Sequence, residues 1–361
     1  MMTTNQQIAV IAMSGGVDSA VSALLLKNSL PDHMILGVTM RLYRGEGTLN
    51  QADISTVSDA RAVADRIGIA HVVCDLEREF CREVIDDFCH EYREGRTPNP
   101  CVVCNKKIKF GALWDFSRAQ GADIIATGHY ARTETDTNGR TLIRRAADSS
   151  KDQSYVLWSL SQDVLRHVRF PLGELSKVQT RQIAAAHGFV NAQRRDSQDI
   201  CFIPDGDYVS FLTRYAGMTP TEGNYLDPDG NIIGKHKGMI CYTIGQRKGL
   251  GMSFGKHMFV CEKNAAQNTV TLCDDAQLYH RTVLAKQTNY IAFDRLETPL
   301  RVKAKLRYRH DAEDATLYPE DDDRVRIVFD RPQRAPALGQ SAVFYSDDYL
   351  LGGGIICGAE K

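Results

Sequence analysis

The chain begins its ordered pattern with an apolar run, Ile8 to Met13, which stops at a polar, glycine-rich turn and resumes at once as a second apolar run. The first run predicts a buried strand, and Ser19 to Lys27 predicts a helix. The alternation continues. Met34 to Met40, Ala70 to Cys74 and Ala122 to Thr127 read as further strands. Between them, Ile54, Val57, Ala60, Val63, Ala64 and Ile67 recur at a helical period. Glu77 to Tyr92 places Phe80, Val84, Ile85 and Phe88 on one helical face. Strands separated by helix-length segments predict a parallel sheet covered by helices on both faces. Such sheets bind ligands at the carboxyl ends of their strands.

Two more helical segments are expected, Ser154 to Val168 and Leu175 to His187. From about residue 210 the texture changes: glycine becomes frequent and the strand signals shorten to Met239–Ile244, Met258–Cys261 and Thr269–Cys273. The remainder is strand-like with turns between. The pattern predicts an α/β domain over 1–210, a small β-containing domain over 211–282 and an all-β barrel over 283–361. No internal repeat or low-complexity tract interrupts it.

Composition narrows this picture only modestly. The length of 361 residues suits two or three domains, and 43% hydrophobic content is ordinary for a globular protein. No run approaches the roughly 18 apolar residues of a membrane span. Met1 to Gln7 lacks the basic and apolar regions of a secretory signal and the arginines of a transit peptide. Ten cysteines in such a chain point to a cytoplasmic protein with buried thiols more than to a disulfide framework. A net charge of -1 means that any nucleic acid must be met by a local concentration of cations.

Three stretches carry candidate chemistry. The first is the turn Met13-Ser14-Gly15-Gly16-Val17-Asp18-Ser19. Successive N–H groups in such a turn, with a helix N-terminus behind them, suit a phosphate. Ser14 and Ser19 add hydroxyls, and Asp18 suits a magnesium ion or a helix cap. The turn lacks the lysine of the Gly-Lys-Ser/Thr nucleotide loop and the spaced glycines of dinucleotide sites. An ordinary tight turn accounts for a bare Ser-Gly-Gly equally well.

The second is Cys101-Val-Val-Cys104, flanked by Arg93, Arg96, Lys106, Lys107 and Lys109, together with Cys201, which comes after Arg194 and Arg195. A Cys-x-x-Cys pair suits zinc or redox chemistry, but a structural zinc site needs a second pair, and the sequence has none. Neighbouring cations lower a thiol pKa and favour a nucleophile. For Cys201 a buried core position is the competing reading. The third stretch is Arg301 to Arg309, with cations at 301, 303, 305, 307 and 309. On a strand, a period of two sets all five on one face, with Val302, Ala304, Leu306 and Tyr308 on the other. An RNA contact there predicts that Arg307→Ala weakens binding and flattens its salt dependence by about one unit.

Ser14 to Ser19 resembles the PP-loop of the ATP pyrophosphatases. Taken with Thr97–Phe110, Ala126–Tyr130, Lys151–Gln153, Asp196–Ile203, Tyr242–Gly251 and Leu351–Ile356, it resembles the tRNA-specific 2-thiouridylase family, MnmA, along nearly the whole chain. The resemblance implies a Rossmann-like PP-loop domain, a central domain and a tRNA-binding β-barrel. It implies that ATP adenylates the C2 oxygen of the wobble uridine, position 34 of tRNA. Sulfur from a cysteine persulfide then replaces that oxygen, giving 2-thiouridine, AMP and pyrophosphate. By position, Cys104 matches the nucleophile and Cys201 the persulfide cysteine, two thiols that form a disulfide as sulfur is released. ATP would lie on Ala12, Met13, Ser14, Gly15, Gly16, Val17, Asp18 and Ser19, with Met40 and Gly128 near the adenosine, and magnesium would accompany it. The target base would meet Asn99, Pro100 and Cys101, and the tRNA would meet His129, Lys151, Asp152, Gln153, Arg307, Tyr308 and Gln340. No protein-bound metal is expected. An upstream sulfur-carrier protein or cysteine desulfurase relay would supply the sulfur in the cytoplasm.

The sequence departs from the family pattern at three places. Cys101 stands where some members have an aspartate, which puts an acid/base role there in doubt. Asp199 stands where glycine is more frequent, adding a charge that raises the pKa of a nearby Cys201. Leu338-Gly339-Gln340 replaces Pro-Gly-Gln. Two other readings remain: a PP-loop ligase acting on a small molecule, and an RNA-binding protein with an inert nucleotide pocket. The first needs neither the cysteine pair nor the basic strand. The intact turn residues argue against the second.

Overall fold

The computed structural model describes residues 7–43, 45, 51–192, 200–253, 255–321 and 323–361. These form two compact units. The first comprises described residues within Met1–Val84, Cys101–Gln198 and Asp348–Leu351. The second comprises those within Ile85–Pro100, Asp199–Asp347 and Gly352–Lys361.

The first unit is built on β1 (Ile8–Ala12), α1 (Val17–Ser29), β2 (Met34–Arg41), α2 (Gln51–Ile67) and β3 (Ala70–Asp75). They are joined by β4 (Ala122–Ala126) and the two-residue β7 (Val168–Arg169), in the sheet order β3-β2-β1-β4-β7. Its pairings are parallel, as the alternating pattern predicted. Central β1 is buried on both faces, which is why it reads as a continuous apolar run. Helix α1 buries Val17, Ala20, Val21, Ala23, Leu24 and Leu26. They share a core with Ala60, Val63, Ala64 and Ile67 of α2. A helix apolar on so many sides is packed on more than one.

The helical run 77–93 contains a π-helical stretch, Cys81–Ile85, and the run 100–119 contains another, Asn105–Ala112. Single π segments are uncommon and recur at functional sites. The second begins directly after Cys104.

The expected helix Ser154 to Val168 is not continuous. It is a 3₁₀ turn, Ser154–Leu157, and one α turn, Gln162–Leu165, separated by Ser161 in extended backbone. Val168 then joins the sheet opposite Ile125. Leu157, Leu160, Leu165 and Val168 are all buried, so their spacing records burial and not one helical face. The last expected helix is confirmed over Lys177–Ala186, closed at its start by a capping box between Ser176 and Gln179. A hairpin, β5 (Ala131–Thr135) and β6 (Thr141–Arg145), pairs with Tyr349 and Leu350.

The second unit holds a small sheet of β8 (Gly223–Leu226), β9 (Ile232–His236), β10 (Phe259–Asn264) and β11 (Thr269–Cys273), in the order β10-β11-β8-β9. The segment expected as a strand from Met239 to Ile244 is instead a 3₁₀ turn, Met239–Cys241. Gly238 enters it at φ +135, a backbone angle that carries the chain out of an extended path. Six strands then form a barrel: β12 (Tyr279–Tyr290), β13 (Leu300–Lys305), β14 (Glu313–Asp321), β15 (Arg324–Arg334), β16 (Ser341–Ser346) and β17 (Tyr349–Glu360). The order is β12-β15-β14-β13-β16-β17, and the 352–360 part of β17 closes it by pairing back to β12.

The basic strand is only partly as expected. Val302, Ala304 and Leu306 are buried and Arg301 and Lys303 exposed, as the period of two requires. The strand ends at Lys305, however, so Arg307 and Arg309 leave its face, and Tyr308 is exposed. Arg301 pairs with Asp330, and Lys303 lies 3.1 Å from Asp314 on β14. The cationic stripe is therefore interleaved with acids from adjacent strands. Arg307 donates to the carbonyls of Ala335 at 2.7 Å and Ile244 at 3.3 Å. Its guanidinium holds two loops, which adds a stability effect to the expectation for Arg307→Ala. The variant should lose about 1–3 kcal/mol of stability, read as a lower urea midpoint, because two buried-side carbonyls lose a charged donor. A flattened salt slope with no change in midpoint would contradict this.

Among the described residues, no helix is long and apolar enough to cross a membrane.

Candidate active site

The glycine-rich turn lies directly after β1, at the carboxyl end of the parallel sheet. Gly15 has φ +66, and a Cβ there would sit 2.6 Å from the Thr56 carbonyl oxygen of α2. Both facts demand glycine. Ser19 Oγ donates to Gly16 O at 3.0 Å and accepts from Ser14 N at 3.1 Å, with Ser14 Oγ at 3.3 Å. The second serine thus folds the loop onto the helix start, while Ser14 itself remains exposed. Ala12, Met13, Val17 and Ser19 are buried supports. No side chain caps α1 at Gly16, leaving its first-turn amides to an anion.

Gly128, just beyond β4, packs against that first turn: a Cβ would stand 3.0 Å from Ser19 N. Any larger residue would push β4 away from the loop. Met40 is half-buried on β2, opposite Cys74 of β3.

Asp18 neither caps the helix nor stands open to a metal. Its two carboxylate oxygens accept from Lys177 Nζ at 2.7 and 2.8 Å. Tyr130 OH is 2.9 Å from Asp18 Oδ1 and 3.0 Å from Thr180 Oγ1. The sequence reading missed Lys177, which lies far downstream and is the first residue of its helix. One signal was available. A lysine in a helix's first turn opposes the macrodipole, which favours acids there. Such local misfits gather at functional sites. Asn191 was also missed; it is buried and donates to Gly15 O at 3.0 Å.

The block Lys151–Gln153 braces this network from behind. Gln153 Oε1 accepts from Tyr130 N at 2.9 Å, and Gln153 N donates to Tyr130 O at 2.9 Å. Asp152 accepts from Ala146 N, Ser154 N and Ser154 Oγ. Lys151 is half-buried.

His129 is buried between Thr127 Oγ1, 2.8 Å from Nδ1, and Lys109 Nζ, 3.4 Å from Nε2. Burial, and then Lys109, hold its pKa well below the usual value. The ring is neutral: Nε2 accepts from the ammonium and Nδ1 donates to the hydroxyl. Because the unfolded state gains this proton near pH 6.5 and the folded state resists it, stability rises with pH and is lost as pH falls below about 6.5. Urea titrations should show this acid limb flattened in His129→Asn. An unchanged limb would mean that other buried histidines carry it.

Cys101 and Cys104 lie on the 100–119 run, within the first unit. Cys104 is buried, and the next residue, Asn105, donates to Val156 O at 3.2 Å. Cys101 is exposed, yet the protein packed about its sulfur raises its pKa, against a lowering by Lys109. The flanking cations are not aimed only at thiols. Lys107 lies 3.8 Å from Glu83, and Lys109 serves His129. Cys201 belongs to the second unit, where it is exposed in a turn, next to buried Phe202. Phe202 packs on Phe88 and Phe211, with ring centroids 5.3 and 5.2 Å apart. Arg194, Arg195 and Asp196 to Asp199 fall outside the described residues. Burial pushes the Cys74 and Cys89 thiols up to about 11, which marks them as structural.

Asn99 is half-buried and Pro100 buried, at the start of the helix that carries Cys101 and Cys104. Gln340 donates from Nε2 to Thr97 O at 3.1 Å and Pro98 O at 2.8 Å. Among the described residues, no group of three or more His, Cys, Asp or Glu is placed to hold a metal.

A parallel sheet whose central strand ends in an anion-receiving Ser-Gly-Gly turn defines a nucleotide-binding α/β protein of the PP-loop class. Comparison with known families makes this narrower. The tRNA methyl transferase HUP domain matches residues 6–205, and the tRNA methyl transferase PRC-barrel domain matches 209–274. The aminomethyltransferase beta-barrel domain matches 280–356. A Clostridium acetobutylicum protein named tRNA-specific 2-thiouridylase MnmA is 46% identical over 352 residues, 96% of this chain and 98% of its own. A Clostridioides difficile protein of the same name is 44% identical over 360 residues, 98% and 99% of the two chains. Likeness to solved structures is lower: the U34-tRNA thiolase NcsA of Methanococcus maripaludis aligns at 17% identity and TM-score 0.36, covering 59% of this chain and 67% of that one. The chain belongs to the MnmA family.

Proposed function

We propose that the chain is an ATP-dependent tRNA 2-thiouridylase acting on the wobble uridine. What carries this reading is the likeness over 96% of the chain to a protein of that name, in a sequence that keeps the loop and both cysteines. The loop fits ATP on its own evidence. Gly15 occupies a conformation and a space closed to other residues, and the first turn of α1 has no side-chain cap, which suits an anion. The loop residues and Lys177 hold the departing pyrophosphate while the uridine C2 oxygen attacks the α-phosphorus. Magnesium accompanying the nucleotide would neutralise phosphate charge, and Asp18 would hold it only in exchange for Lys177, whose ammonium would then be placed for the phosphates.

The adenylated base is next attacked at C2 by the terminal sulfur of a Cys201 persulfide, and AMP leaves. The Cys104 thiolate attacks Cys201 Sγ; the sulfur–sulfur bond to the base breaks and its electron pair stays on the base as 2-thiouridine. The product is a Cys104–Cys201 disulfide, which an external dithiol must reduce. A sulfur-carrier protein or cysteine desulfurase relay reloads Cys201. Asn99, Pro100 and Cys101 meet the base. Lys151, Arg307 and Tyr308 meet the tRNA, with the barrel over 283–361 as its platform. His129, Asp152 and Gln153 act through the groups they brace.

The test combines the purified chain with ATP, magnesium, a persulfide donor (a cysteine desulfurase with cysteine), a dithiol reductant and a tRNA bearing uridine at position 34, and reads the nucleosides by mass spectrometry. ATP-dependent 2-thiouridine is expected. Pyrophosphate release that is indifferent to tRNA, with no thiolated nucleoside, would overturn the reading in favour of a small-molecule ligase.

A further inference from the structure

We infer that Asn191 is a positioning residue for the glycine-rich loop: its side-chain amide holds the Gly15–Gly16 peptide so that the Gly16 N–H is turned to the phosphates. The inference rests on the loop being an ATP site. Asn191 is buried, and its Nδ2 donates to Gly15 O at 3.0 Å. That carbonyl shares a peptide plane with Gly16 N. In a trans peptide the C=O and N–H point in opposite directions. Holding the oxygen on the Asn191 side therefore sends the N–H to the other side. Gly16 is the residue from which α1 starts, and no side chain caps it. Among the described residues, Gly16 N donates to no protein acceptor, whereas Ser14 N is taken by Ser19 Oγ at 3.1 Å. The Gly16 amide is thus left for a ligand.

The peptide needs such a hold. It lies between two glycines, and with no Cβ on either side it can turn over at little steric cost. The Thr56 carbonyl fixes where the Gly15 Cα can sit, but it does not choose which way the following carbonyl faces. Asn191 makes that choice. Only the nitrogen end of its amide can meet a carbonyl oxygen; the oxygen end would repel it.

Asn191 is itself well placed to act as a fixed point. The helix Lys177–Ala186 ends in a Schellman turn: Gly188, at φ +62, donates to Ala185 O at 2.9 Å, and Phe189 N donates to Ala184 O at 3.0 Å. Phe189 is buried in the core that Val17, Ala20 and Leu24 of α1 share. Ala192 packs against the same core, and its carbonyl accepts from Arg181 at 3.1 Å. Ala192 N donates to Phe189 O at 3.1 Å, closing the turn around Asn191. One helix thus brings Lys177 to Asp18 from its first residue and Asn191 to Gly15 from the turn beyond its last. Asn191 Oδ1 is buried with no hydrogen-bond partner among the described residues. A buried, unpaired oxygen opposes folding, so an asparagine here is poorly explained by stability alone.

Asn191→Leu keeps the bulk and removes the donor, and Asn191→Ala is the second variant. Calorimetric titration compares each with the unmodified chain for ATP, inorganic pyrophosphate and adenosine. We expect ATP and pyrophosphate to bind about 10- to 100-fold more weakly, the span of one hydrogen bond to a charged group, and adenosine to bind within about twofold. Labelling with carbonyl-13C and 15N glycine selects the amides that follow a glycine, those of Gly16, Gly353 and Gly354. Pyrophosphate should shift the Gly16 resonance of the unmodified chain and shift it less in the variants. Equal losses for adenosine and pyrophosphate, or two variants that fail to fold, would make Asn191 a structural tie and overturn the inference. Unchanged pyrophosphate affinity, or a Gly16 amide that does not respond, would overturn it as well. An unmodified chain that binds pyrophosphate and thiolates no tRNA defeats the functional reading and leaves Asn191 in this role. One that binds neither ATP nor pyrophosphate defeats both.

Discussion

Cys201→Ser will take up no persulfide sulfur and make no 2-thiouridine, whereas Cys104→Ser will take up sulfur and fail to release it to the tRNA. The two thiols are separated by environment before any family likeness is invoked. Cys201 is exposed in a turn, where a protein donor can approach it. Cys104 is buried on its helix and can react only with what is delivered to it. An exposed thiol suits loading and a shielded one suits resolution, since thiol exchange depends on access as well as on thiolate fraction. Serine preserves size and hydrogen bonding but cannot carry a sulfane sulfur or accept one. Each variant should lose on the order of 1,000-fold or more in thiolation, because residues that act as a unit fail as a unit. ATP affinity should stay within about twofold in both, as neither cysteine is among the loop residues that the nucleotide meets. Incubation with a radiolabelled sulfur donor, followed by non-reducing electrophoresis, separates the two failures. Label retained on Cys201→Ser, or thiolation surviving in either variant, would refute the assignment.

The sequence is legible where its physical signal is local. The parallel sheet could be read because a strand buried on both faces is apolar at every position, as β1 is, and because α2 shows its core face at regular spacing. The Ser154–Val168 segment misleads because its apolar residues are buried on several sides, so their spacing no longer reports one face. The 301–309 stripe misleads in a different way. Its alternation is real as far as Lys305, but nothing local announces the turn beyond it or the acids Asp314 and Asp330 on neighbouring strands. The loop glycines are legible as an anion turn, while the reason for Gly15 in particular, the Thr56 carbonyl pressed against it, is tertiary. Gln153 reads as an RNA contact, and its backbone bonds to Tyr130 are likewise visible only in three dimensions. The lysine beside the loop is the clearest case. Lys177 reaches Asp18 from the first turn of a helix far along the chain, which no local pattern announces.

Lys177→Gln should therefore weaken ATP binding about 10- to 100-fold, some 1.4–2.8 kcal/mol, while changing the stability of the empty protein by no more than about 1 kcal/mol. Two terms in the empty protein oppose each other. The ion pair with Asp18 is lost, and that carboxylate is one-third exposed, so water partly replaces the lysine. At the same time, a cation leaves a helix N-terminus, which returns about 0.3–1 kcal/mol. With a polyphosphate bound, both terms change sign in their consequence. The helix start becomes a favourable place for the anion, and the lysine now on Asp18 can turn to it. Asp18→Asn should act oppositely on nucleotide without magnesium: freed of its carboxylate, Lys177 meets the phosphates sooner, so binding tightens while thiolation falls. The paired change Asp18→Asn with Lys177→Gln should bind ATP more weakly than Asp18→Asn alone and remain folded. Calorimetric titration of ATP with and without magnesium, beside urea unfolding, reads all of these. If Lys177→Gln lost several kcal/mol of stability and kept its ATP affinity, the Asp18–Lys177 pair would be a structural tie and the loop would hold its phosphates by backbone alone.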